Sequence, residues 1–122
     1  MKKQFVTYEI SLKLKELGFD EECLAAYEEG DLNIYFDINK NIDWSEYDDC
    51  CSAPLWSQCL SWLREKHNID IIVKPWTGDV KGTKMYTADI TIFGINTYKF
   101  KRHNSYEEAL EEGLLEALKL IK

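Results

Sequence analysis

The side chains able to act as nucleophile, general base or soft metal ligand are four cysteines, Cys23, Cys50, Cys51 and Cys59, and two histidines, His67 and His103. Cys50 and Cys51 lie just ahead of a helix expected from Pro54, where the positive end of a helix dipole would favour thiolate, and either histidine has the chemistry of a base. No local signature joins these parts, and buried cysteine ordinarily behaves as a small hydrophobe. A zinc set drawn from Cys50, Cys51, Cys59 and His67 has unsuitable spacing. There is no Cys-x-x-Cys, and Cys59 and His67 stand two helical turns apart, about 12 Å along the axis.

Asp37, Asn39, Asn41, Asp43, Ser45 and Asp48 place oxygen donors at the first, third, fifth, seventh, ninth and twelfth positions of a calcium-type loop. Ile42 occupies the position where the sharp turn calls for glycine, and Asp48 stands in for the longer bidentate glutamate. The alternative is a polar, turn-rich loop whose Asn and Asp side chains bond their own backbone. The run from Gly78 to Lys84 fails as a phosphate loop: its spacer is one residue short, and a strand follows where a helix N-terminus is needed. Trp62 and Trp76 are either covered by flanking loops or left at the surface, where large aromatics mark contact with another protein.

The elements that position these residues are marked by caps and periodicity. Thr7 caps a helix over residues 8–17, its inner stripe Ile10, Leu14 and Leu17, and Gly18 stops it. Gly30-Asp31 followed by alternating Leu32, Ile34 and Phe36 reads as a hairpin, and residues 37–51 read as a loop. Ser52, Pro54 and Asn68 bracket a second helix whose face is Trp56, Cys59, Leu60, Leu63 and His67. Three strands follow, over residues 69–75, 84–93 and 97–102. Parity of the apolar positions calls for an odd loop, Gly94-Ile95-Asn96, which sets Asp89 opposite Lys101 and Thr91 opposite Lys99 on a solvated face. Ser105-Tyr106-Glu107-Glu108 is a capping box opening a last helix with the stripe Leu110, Leu114, Ala117, Leu118 and Ile121. Gly113 on that helix signals close approach to a neighbour.

The expected architecture is one α+β domain over residues 1–122, in the order α-β-β-α-β-β-β-α. It has a largely antiparallel sheet of about four to five strands with three helices on one face. With 122 residues, 45% hydrophobic and 13% aromatic, the chain is long enough to bury its own core. The first residues hold two lysines with no apolar run behind them, which points away from a secretory signal and toward the cytoplasm, where the cysteines are expected as free thiols. A net charge of -7 speaks against a nucleic-acid partner, and no stretch approaches a membrane span. The charge is uneven. Residues 20–50 hold eleven acids and one base, Lys40, whereas residues 64–103 hold eight Lys and Arg against four acids.

Residues 5–23, from Phe5-Val6-Thr7-Tyr8-Glu9 to Glu21-Glu22-Cys23, together with Ala53-Pro54-Leu55-Trp56 running to Trp62-Leu63-Arg64-Glu65-Lys66-His67, resemble a family of short uncharacterised proteins. These come from phages and mobile elements of gut bacteria, of Bacteroidales type. The resemblance spans the chain and implies no activity, cofactor or catalytic residue. The function expected is therefore a non-enzymatic accessory or protein-interaction domain without cofactor, its partner another protein, contacted through Asp48 and Asp49 in an acidic patch or through Trp62 and Trp76. A calcium-binding module at Asp37–Asp48 is the alternative, and a thiol enzyme at Cys50 or Cys51 a third reading.

Overall fold

A computed structural model of the chain describes residues 4–35, 47–76, 85–99 and 102–121, the side chains of Trp76 and of residues 96–99 excepted. Helix α1 spans Tyr8–Glu16, β1 Ala25–Glu28, β2 Asp31–Ile34, β3 Cys50–Ala53, α2 Trp56–His67, β4 Ile69–Trp76, β5 Met85–Ile92, β6 Ile95–Lys99 and α3 Tyr106–Lys119. The class is α+β, as the periodicities predict. The strands, however, form two three-stranded antiparallel sheets, in the orders β2-β1-β3 and β4-β5-β6, and not one larger sheet. The chain divides into two compact units, residues 1–61 and 62–122, with the boundary inside α2.

In the first unit the expected caps are present. Thr7 Oγ1 accepts from Ile10 N at 3.3 Å, satisfying one of the amides that a helix start leaves orphaned. Gly18 takes φ +87°, and Phe19 N reaches back to Leu14 O at 2.9 Å, closing the other end. The buried face of α1 is Ile10, Ser11 and Leu14, with Leu17 half-buried. Glu29 and Gly30 both have positive φ, the backbone that a two-residue hairpin turn demands, so β1 and β2 pair as the turn signal implies.

The second arm of that sheet was not expected. Cys50–Ala53 is a strand in register with β1, Glu28 opposite Cys50 and Ala25 opposite Ala53, so Ser52 lies within β3 and caps no helix. Helix α2 begins at Trp56, not in the turn of Pro54. Asn68 ends it in the left-handed region at φ +54°, as read from the sequence. Phe5, Ala25 and Ala53 form the core of this sheet, and Leu24, Tyr27 and Leu55 pack against it.

In the second unit β5 is central. Its apolar residues Ala88 and Ile90 are fully buried, and Thr87 and Asp89, which point to the face expected to be solvated, are largely buried as well. Both faces of β5 are therefore covered at its middle. Asp89 is matched by Lys74 Nζ of β4 at 2.6 Å, the partner that a buried carboxylate requires. The β5–β6 connection also differs from the odd loop expected. It is a two-residue turn, Phe93-Gly94, and a bulge at Ile90/Thr91 restores the alternation, leaving Ile90 opposite Tyr98 and Asp89 opposite Lys99. Proline is tolerated at Pro75 because β4 is an edge strand of this sheet.

Helix α3 starts on Ser105 Oγ, which accepts from Glu108 N at 3.1 Å. It packs on β4 and β5 through Leu110, Gly113, Leu114 and Ala117. A Cβ built on Gly113 would stand 3.0 Å from Ile71 Cγ2 and 3.2 Å from Ala88 Cβ, closer than side chains ordinarily approach. Gly113→Val should therefore destabilise the protein by about 1–3 kcal/mol in urea titration, through overpacking. In the opposite direction, Phe93 occupies a left-handed position at φ +50° that suits asparagine, so Phe93→Asn should raise stability by about 1 kcal/mol.

Candidate functional site

The end of α1 and the start of β3 are fastened together by polar contacts to main-chain carbonyls. Lys15 Nζ donates to Tyr47 O and, at 3.0 Å, to Cys50 O. At the first residue of α1, Tyr8 OH donates to Asp49 O at 3.3 Å, and its ring lies 5.4 Å from that of Tyr27. Glu29 N donates to the same Asp49 O at 3.2 Å, which joins the β1–β2 turn to the lead-in of β3. These contacts gather Glu29, Asp31, Asp48 and Asp49 at one end of the first sheet, all exposed, beside a Tyr47 that is also exposed. Glu28, next to them, is engaged differently: its Oε2 accepts from Asn33 Nδ2 at 2.8 Å and Tyr35 OH at 2.9 Å.

The thiols lie inside. All four cysteines are free and buried. Burial pushes the Cys51 thiol up to about 12, against the lowering influence of the Lys15 ammonium. Burial likewise raises Cys23 and Cys59 to about 12, with Glu21 adding to the rise at Cys23 and Cys23 and Glu21 adding to it at Cys59. Cys50 Sγ donates to Asp49 Oδ1 at 3.6 Å. Cys50 and Cys51 stand in a strand ahead of Pro54, so the dipole of α2 does not begin at them. A thiolate nucleophile at Cys51 would meet a desolvation barrier with no compensating helix start.

The histidines have other neighbours. His67 packs edge-on against Trp62, with ring centroids 4.8 Å apart. His103 pairs through both main-chain groups with Tyr86, and its Nε2 lies 3.1 Å from Glu112 Oε1 while Nδ1 lies 3.8 Å from Glu108 Oε2. Among the described residues, no three His, Cys, Asp or Glu side chains stand together as a metal-binding group.

Of the residues singled out as partner contacts, Asp48 and Asp49 are exposed and adjacent to Glu29 and Asp31. Trp62 is only 4% exposed, so it offers no surface to a partner. Position 62 follows Cys59 by three residues: Cys59 and Leu63 of the expected face are fully buried, Trp62 joins them, and Trp56, Leu60 and His67 are half-buried, so the buried face is shifted toward Trp62. Trp76 ends β4, and its side chain lies outside the described part. Asp37, Asn39, Asn41, Asp43 and Ser45 of the calcium-type loop also lie outside the described residues, as does the stretch from residue 77 to 84. Sequence reasoning missed Lys15 and Tyr8 as the residues that hold the acidic rim. Their only signal was an aromatic and a basic side chain seven residues apart on one face of α1, and their carbonyl partners depend on a strand that the sequence does not announce.

No family model, curated protein or solved structure matches this chain. No helix among the described residues is long and apolar enough to cross a membrane.

The thiols carry a pH dependence of known sign. Folded Cys59 ionises near 12 against an ordinary value of 9.0, so the unfolded chain loses this proton first. The stabilisation is complete below pH 9.0 and is lost as pH climbs toward about 12. Cys59 contributes up to about 1.4 kcal/mol per pH unit to that loss. Denaturant titrations between these limits should show a steep decline for the wild type and a shallower one for Cys59→Ala; parallel declines would contradict the assignment.

Proposed function

We propose that the chain is a non-enzymatic protein-interaction domain that captures a basic surface of another protein on the acidic rim of its first unit. The observation that supports this most is the segregation of charge. The first unit holds 13 acidic and 5 basic residues, and the second holds 9 and 10. Like charges gathered on one body cost self-repulsion, which a partner of opposite sign relieves, and such a surface also steers diffusional encounter. Glu29, Asp31, Asp48 and Asp49 form the rim, and exposed Tyr47 supplies an amphipathic ring beside it, a residue type favoured at protein interfaces.

Support also comes from what surrounds the reactive groups. The thiols are desolvated, and the histidine neighbours named above include no cysteine, which leaves the thiol-enzyme reading with little footing. The calcium reading retains a single described ligand, the exposed Asp48. The proposal extends to a cytoplasmic accessory protein of phage or mobile-element type, on the strength of the sequence resemblance in residues 5–23 and 53–67.

The test uses a fluorescein-labelled lysine-rich peptide titrated against the full chain. Asp48→Lys with Asp49→Lys should weaken binding by about tenfold, since each reversal replaces an attraction with a repulsion of similar size. Glu65→Lys with Glu107→Lys, which makes the same change in overall charge at two exposed acids of the second unit, should leave affinity within about twofold of the wild type. Equal losses for the two pairs would remove the rim from the proposal.

A further inference from the structure

We draw no further inference here: the strongest candidate, the exposed apolar tip of the β5–β6 hairpin at Phe93 and Ile95, is an unpartnered apolar surface, and nothing in the structure shows what covers it.

Discussion

A main-chain carbonyl that leaves a sheet ladder must find a donor, and at the entrance to β3 that donor is the ammonium of Lys15. The charge-assisted bonds to Tyr47 O and Cys50 O do two things together. They satisfy acceptors that the short strand cannot pair, and they bind the residues before β3 to α1. Tyr8 adds a second grip about two turns earlier on the same helix, at Asp49 O. Asp48 and Asp49 thereby project from a held segment, beside the β1–β2 turn, and their negative charge is presented in a fixed place. A charge-assisted hydrogen bond contributes roughly 1.5–3 kcal/mol, enough to decide whether a four-residue strand stays docked.

The same cation has an electrostatic effect inward. It favours ionisation of Cys51, but desolvation outweighs it, and the thiol remains protonated well above neutrality. Burial and charge thus divide the labour within the first unit: thiols and small apolar residues fill the interior, and carboxylates occupy the rim. The second unit solves its buried charge differently. Asp89 sits at the middle of a strand covered on both faces, and Lys74 from the neighbouring strand neutralises it directly. One carboxylate is thereby committed to the fold, whereas those of the rim are left to solvent.

Local chemistry made the ends of elements readable. Thr7, Gly18, Asn68 and Ser105 mark boundaries through their own side chains or backbone freedom, and Gly113 declares a close approach because only a missing Cβ fits there. Elements that depend on distant pairing were not readable. Cys50-Cys51-Ser52-Ala53 has no alternation, and Ser52 before Pro54 imitates a helix start, so only its register with β1 reveals a strand. The bulge in β6 is hidden for a related reason: parity demands one extra residue without saying whether the turn or the ladder supplies it. Of the rim, Asp48 and Asp49 were legible as exposed turn residues. Their grouping with Glu29 and Asp31 follows from strand pairing alone.

The central claim is that Lys15 holds the lead-in of β3, and with it the acidic rim, against α1. Amide hydrogen exchange at Cys51 and Ala53 in the wild type and in Lys15→Met measures this directly. Methionine keeps most of the apolar stem and removes the ammonium. Loss of the two charge-assisted bonds should accelerate exchange in β3 by about 10- to 100-fold while leaving β4 and β5 unaffected. Protection of β3 that is unchanged in the variant would contradict the account.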